Sequence, residues 1–349
     1  LIHEKITMLN PRHQNERDPL DPMVARAQAL AQGLRTFRPQ DDLPPALWET
    51  AYLLQQSADS DRPLAERLRI LGLMTTTLDQ FFAEEIPAWQ EQATHDPGAA
   101  QQLQLLPVQI ASIMRRSSAL LRKEILPRLT EDEAIHICLP STLDEVAIQW
   151  VRRFFQRRVY PLLTPLAVDP GHPFPFISSF SLNLLVELHS DEYDGWDASN
   201  YARIKVPRLL PRFIPIPVDV DAVEVEHRRC YLQSEELLRF FLPDLFPGLT
   251  VTGAYLFRVI RAAEPQRSKS HPLKRRSRQQ ELSLPVVRLD VEQTMPADLF
   301  DWLVDHLDVP AHLCYRMPDQ IGELQLVELA NLLDGIDPGA AANPWLTLP

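Results

Sequence analysis

The residues best suited to chemistry lie close together. Asp169 and His172 fall within the stretch 163–180, LTPLAVDPGHPFPFISSF, which also holds Pro165, Pro170, Pro173 and Pro175. A carboxylate beside an imidazole can tune an acid–base or phosphoryl-accepting histidine. The same residues admit a mechanical reading. Asp-Pro-Gly makes a tight turn, because proline presets its own φ and glycine takes positive φ freely. HPFPF then runs extended, since each proline restricts itself and the residue before it. Phe174 and Phe176 would then point to one side and fill one pocket. No nucleophile–base–orienter set accompanies His172, so the stiff joint is the better reading.

Other chemical groups are scattered. His3, His13, His95, His136, His189, His227, His271, His306 and His312 form no HExxH and no pair at metal-ligand spacing; His312 with Cys314 comes nearest. Glu84 and Glu85, and Glu235 and Glu236, are neighbours on predicted helices, where adjacent side chains diverge; solvated helix faces are expected. Neither GxGxxG nor GxxxxGK[ST] occurs, and only 10 glycines stand against 32 prolines, so phosphate-cradling loops are few. One run, QRSKSHPLKRRSRQQ at 266–280, carries Arg267, Lys269, Lys274, Arg275, Arg276 and Arg278 with no acid between Glu264 and Glu281. It could grip phosphates or be a solvated, exposed loop. It lacks aromatics, so base stacking is not expected.

The elements that must position these groups change character along the chain. Apolar residues at helical spacing predict helices over 22–37, 44–56, 62–74, from 75 onward with TTT as its entry, 101–126 with Pro107 starting or kinking it, and 143–160. After the proline-rich stretch the pattern turns strand-like. Strands are expected at 179–188 with Phe180 on the apolar side, then 201–207, 212–216, 228–233, 249–262, 284–293 and 312–317, with helices near 234–242, 296–307 and 321–333. Strands at 179–188 and 201–207 suit a long-looped hairpin. Helices and strands interleave without regular βαβ spacing, which predicts an α+β fold: an N-terminal helical bundle domain followed by a mixed α/β domain.

Length and composition agree. At 349 residues the chain exceeds one domain of ~100–200 residues, and 45% hydrophobic content with 14 Phe and 6 Trp can fill a sizeable core. Three spaced cysteines, Cys138, Cys230 and Cys314, suggest neither a disulfide framework nor a metal site and fit a reducing cytoplasm. The charged N-terminal stretch has no apolar run resembling a signal, and no segment is long and apolar enough to span a membrane. A net charge of −12 argues against a nucleic-acid grip.

The stretch LTPLAVDPGHPFPFIS, followed by SLNL, resembles the head-domain entry of type-1 polyphosphate kinases. PLAERLRILGL and TTTLDQFF at 63–82 resemble that family's PLLERLKFLAI and SSNLDEFF; ARIKVPRLLPRFIPIP at 202–217 resembles ARVKVP…LPRFVPLP. LFPG at 245–248, LFRVIR at 256–261, VRLDVEQTMP at 287–296 and a closing NPW follow in the family's order, from about residue 44 onward. The resemblance implies an N-terminal extension at 1–40, partly helical, a helical N-terminal domain at 41–138 and a head (middle) domain at 139–349. It implies an enzyme family that moves the terminal phosphate of ATP onto polyphosphate with magnesium, through a phosphorylated histidine in C-terminal domains that these motifs do not include. Thr77 stands where the family's adenine-facing Asn stands, and Glu85 where the family has Arg. These departures imply weakened base recognition at Thr77, and the missing histidine-bearing domains imply a polypeptide without cofactor or catalytic residue of its own, inactive alone. The alternatives are an N-terminal fragment of an active polyphosphate kinase, or a regulatory or polyphosphate-binding paralogue using the basic run 267–278. Expected partners are a second copy, a catalytic polyphosphate kinase, or polyphosphate. The expected location is the cytoplasm, peripheral to the membrane if part of a larger enzyme.

Overall fold

The computed structural model describes residues 22–39, 43–168, 174–189, 200–217, 229–263, 284–318 and 323–335. Asp169, His172 and the basic residues of 267–278 lie outside them.

The helical half comprises α1 (Pro22–Thr36), α2 (Trp48–Ser57), α3 (Leu64–Gln80), α4 (Ile86–Ala93), α5 (Pro97–Leu120) and α6 (Leu126–Glu131). α3 is its axis. It is buried on almost every side, Leu68, Ile70, Leu71, Leu73, Met74 and Leu78 included. The expected break at residue 75 does not occur. Thr75 and Thr76 turn their hydroxyls back onto the carbonyls of Leu71 and Gly72, both at 3.1 Å. That bond spends the group a helix cap would need, so the threonines continue the helix. Pro107 likewise neither starts nor ends α5. Asp96 caps that helix by accepting from the Gly98 N–H at 2.8 Å, with Pro97 in the first turn. Leu103, Leu106, Ile110, Ile113 and Leu120 then form its buried seam.

Three π turns interrupt the helices, at Phe81–Glu85, Leu121–Ile125 and Phe155–Val159. Each ends two residues before a proline: Pro87, Pro127 and Pro161. Proline lacks an N–H and crowds the carbonyl four residues back, and a widened turn relieves both problems. At Phe81–Glu85 the released Ala83 carbonyl accepts from the Ala263 N–H at 2.6 Å, tying the helical half to the sheet.

The second half holds two sheets. β1 (Ile135–Cys138), β6 (Arg229–Gln233) and β5 (Phe213–Ile216) form the smaller, in the order β1-β6-β5, with β1 and β6 parallel. The larger runs β2-β4-β3-β7-β8-β9, from β2 (Leu166–Val168), β4 (Asn200–Lys205), β3 (Leu182–His189), β7 (Thr250–Arg261), β8 (Val286–Glu292) and β9 (Cys314–Met317). β3 and β4 pair antiparallel, as a long-looped hairpin requires. The β1 and β2 segments escape sequence reading because three or four residues carry no resolvable alternation.

Alternation gives the large sheet two faces. Leu184, Val186, Ala202 and Ile204 pack with α7 (Glu145–Phe154) and α8 (Ser234–Phe240). Asp144 caps α7 by accepting from the Ala147 N–H at 2.8 Å, a contact of about 1 kcal/mol. The opposite face, with Leu185, Phe257, Leu289 and Val291, belongs to the core cluster that also includes α10 (Ala297–Leu307), while the helical half meets β7 from the Leu184 face, where Arg258, opposite Leu182, bonds Asp79 of α3. A four-residue α9 (Leu242–Leu245) lies between β6 and β7 in sequence. The last described helix, α11 (Glu323–Leu333), returns to pack on α3, and Leu326 and Leu329 join the same core. The α+β arrangement is the one the sequence predicts.

Candidate functional site

A cleft of about 460 Å³ opens where α3, α11 and the β3–β4 end of the large sheet meet. Its size is within the ~300–1,000 Å³ of ligand pockets. From α3 it receives Thr76, Asp79 and Gln80; from α11, Gln325 and Glu328. The sheet side supplies Phe180, Ser181, Arg208, Arg212 and Arg258.

Behind the cleft is a buried set of charges drawn from both halves of the molecule. Arg258 on β7 makes a fork with Asp79 on α3, Nη1 to Oδ2 at 2.7 Å and Nη2 to Oδ1 at 3.0 Å, and reaches Asp290 on β8 at 2.7 Å. Arg288 donates from Nε to the other oxygen of Asp290 at 2.7 Å and stands over the rings of Phe82 and Tyr315. Burial alone would discharge Arg258; Asp79 and Asp290 outweigh it and hold the guanidinium more firmly charged than usual. Burial would likewise raise the Asp290 carboxyl, and Arg288 and Arg258 bring it below its ordinary value. Such a set is retained only when every charge is answered. Two charges face two, and the result is an ionic bolt between the helical half and the sheet.

A second polar group closes the other wall. Glu235 on α8 accepts from Arg212 at 2.7 Å and from the Gln325 amide at 2.7 Å. Glu328 accepts from the backbone N–H of Arg212 at 2.8 Å and of Phe213 at 3.3 Å. Burial pushes the Glu328 carboxyl up to about 7, against the pull of those N–H groups and of Arg212. This corrects the expectation of solvated faces for one of the two glutamate pairs. Glu84 and Glu85 are exposed, but Glu235 is 4% exposed. Its partners, Arg212 just before β5 and Gln325 on α11, come from distant segments, which local spacing on α8 cannot reveal. Glu236 is also drawn in: burial raises its carboxyl despite Arg239 beside it.

The described end of the proline-rich stretch, residues 174–180, packs against α10 and β7. Phe174 meets Trp302 and His306 of α10, at ring distances of 5.7 and 5.8 Å, whereas Phe176 lies beneath the Arg261 guanidinium at 4.7 Å. The two rings therefore have different partners. Ser181 then donates from Oγ to the Ser178 carbonyl at 2.7 Å, making a turn. The turn delays the strand to residue 182 and leaves Phe180 with φ 61 and 47% exposed, on the cleft wall. A bulky residue with positive φ is rare and costs on the order of 1 kcal/mol or more. Alternation in SFSLNL pointed Phe180 inward; the Ser178–Ser181 turn overrides it.

Thr77 is 6% exposed and does not line the cleft; its neighbours Thr76, Asp79 and Gln80 do. His312 and Cys314 sit away from it. Burial lowers the imidazole, and burial together with Asp290 pushes the Cys314 thiol up to about 12. Among the described residues no group of three or more His, Cys, Asp or Glu side chains is gathered for a metal ion, and no helix is long and apolar enough to cross a membrane.

Comparison with known proteins places this architecture. The family model for the polyphosphate kinase N-terminal domain matches residues 50–138, and that for the polyphosphate kinase middle domain matches residues 147–329. A polyphosphate kinase of Mycobacterium marinum is 32% identical over 315 residues, covering 86% of this chain and 42% of that protein. One from Parasynechococcus marenigrum is 30% identical over 285 residues, covering 77% of this chain and 40% of its own length. The crystal structure of polyphosphate kinase from Porphyromonas gingivalis superposes with a TM-score of 0.64 at 22% identity, over 85% of this chain and 40% of that one, and so shares the fold. The chain thus spans about two fifths of the length of these relatives. With both domain models matched in order along one polypeptide, the chain belongs to the polyphosphate kinase family and carries its N-terminal and middle domains.

Proposed function

We propose that the two domains of this chain hold nucleotide and polyphosphate for polyphosphate kinase chemistry but do not transfer phosphate by themselves. The observation that supports this is the commitment of the charges around the cleft. Phosphoryl transfer needs cations that neutralise the moving group and a residue that activates or carries it. Arg258 is held by Asp79 and Asp290, and Arg212 by Glu235. None of the described histidines lines the cleft. What the cleft offers instead suits a planar base: the Phe180 ring, the Thr76 hydroxyl and the Gln80 amide, with Arg208 at the side. In this reading the groups beside Thr77, rather than Thr77 itself, face the base. The six cations between positions 267 and 278 would hold polyphosphate as point charges and forks. A second copy or a catalytic polyphosphate kinase would supply the transferring groups, and magnesium and ATP belong to that complete reaction.

The purified chain, incubated with magnesium and ATP, is expected to make no long polyphosphate on a stained gel. It is expected to bind ATP in calorimetry, with Phe180→Ala weakening the binding. Long polyphosphate made by the chain alone overturns the reading. Retention on polyphosphate beads unchanged by Arg275→Glu with Arg276→Glu removes the basic run from it.

A further inference from the structure

The two faces of the large sheet treat arginine differently. Arg258 and Asp290 lie opposite each other on the face of Leu182, among matched carboxylates. Arg203, on β4, lies opposite Leu185 and so projects from the other face. It is 7% exposed, and among the described residues its hydrogen bonding consists of Nε donating to Asn183 Oδ1 at 2.9 Å. The Asn183 amide is oriented for that role, because its Nδ2 donates to the Ser181 carbonyl at 2.8 Å and to Ser181 Oγ at 3.2 Å. A guanidinium carries five N–H donors, and the four on its two Nη atoms make no hydrogen bond among the described residues. Burial accordingly pulls the Arg203 guanidinium down to about 10, and among the described residues no carboxylate acts against it.

A buried cation without an anion is costly, and proteins usually answer it with a carboxylate or bound anion. Two features suggest which applies here. Lys205, two residues along the same face, donates from Nζ to Ser178 Oγ at 2.8 Å, so a second cation stands beside the first. The site also lies next to the sheet edge: Arg203 is flanked by Leu166 of the edge strand β2, and Leu166 is 39% exposed. The fork left open on Arg203 matches two oxygens of a tetrahedral or planar oxyanion.

We propose that Arg203, with Lys205 beside it and Asn183 fixing its orientation, forms an oxyanion site that takes a phosphate group. Arg203, Lys205 and Asn183 do not line the cleft, although Ser181, which orients Asn183, does; the proposal does not depend on the function proposed for the cleft. The phosphate can be free or the end of a polyphosphate chain; the oxygen-to-fork chemistry is the same.

The test uses the full chain with inorganic phosphate and tripolyphosphate, in calorimetry and thermal melts against chloride at matched ionic strength. Both ligands are expected to raise the melting temperature, and Arg203→Met to weaken binding at least about tenfold. Equal affinities assign the site to a single phosphate, and markedly tighter tripolyphosphate binding assigns it to a chain end. Phenylglyoxal labelling of the wild-type chain, mapped by peptide mass, covers the case in which Arg203→Met fails to fold. Phosphate is expected to protect Arg203 while leaving Arg128, at the exposed end of α6, unprotected. No stabilisation by either anion, binding unaltered in a folded Arg203→Met variant, or Arg203 labelling indifferent to phosphate each overturns the proposal.

Discussion

Arg258 and Arg203 occupy one sheet, on opposite faces, and their surroundings differ in one respect. Arg258 is given two carboxylates from two elements, one of them on a helix of the other domain. Arg203 is given the neutral oxygen of Asn183. In the first case burial strengthens a closed set of charges, because low dielectric favours each pairing once both signs are present. In the second, the same burial acts against the charge and leaves donors available. A buried arginine is thus structural or ligand-directed according to who else is buried with it.

The largest effect that can break this comparison is at Asp79. Asp79→Ala leaves Arg258 and Arg288 with Asp290 alone, and urea unfolding is expected to show a loss on the order of 3–5 kcal/mol. The same change should separate melting of the helical half from that of the sheet, visible as probe-dependent transitions. A loss within the range of an ordinary surface substitution would mean that the bolt does not hold the domains.

Next in size is a pH effect at the other wall. The Glu328 carboxyl is raised from its ordinary 4.5 to about 7, so between those values the folded state binds more protons than the unfolded one. Its contribution to stability is therefore full below pH about 4.5, falls as pH rises towards about 7 and is level above. Glu328→Gln keeps an oxygen for the Arg212 and Phe213 N–H groups without the charge. Thermal melts across that window should show the variant gaining on wild type by roughly 2–3 kcal/mol at neutral pH. A constant difference across the window would place the titration elsewhere.

Arg203→Met is expected to change stability by no more than about 1 kcal/mol in phosphate-free buffer, since it removes a buried charge that has no countercharge among the described residues. Set beside Asp79→Ala under the same denaturant series, it sharpens the contrast; equal losses would erase it. The smallest expected change is at Phe180. Phe180→Asn relieves a left-handed backbone that Asn tolerates, and should raise stability by about 0.5 kcal/mol, while removing the ring from the cleft.

Legibility from sequence followed the range of the forces involved. The β3–β4 hairpin, the long β7 and the helix at 297–307 were readable because their periodicity extends over many residues. Thr75–Thr77 misled because threonine can cap a helix or bond back within one, and only the neighbouring turn decides. Glu235 looked solvated on α8 because Arg212 and Gln325 arrive from distant segments. Phe180 had the alternation of a strand residue, but a hydroxyl turn from Ser181 back to Ser178 decided its conformation. Of the cleft, the α3 motif was evident in TTTLDQFF; its opposite wall on α11 was not.

The amino-acid sequence by itself determined the order of helical and mixed halves, the α+β class and the family motifs, all of which rest on local periodicity and on short runs of residue type. Which arginines are paired was decided only by tertiary structure. Arg203, Arg258 and Arg288 are indistinguishable as letters within strands, and each acquires its role from groups between 2 and 179 positions away, because electrostatic energy depends on distance in space and on burial, neither of which sequence separation measures.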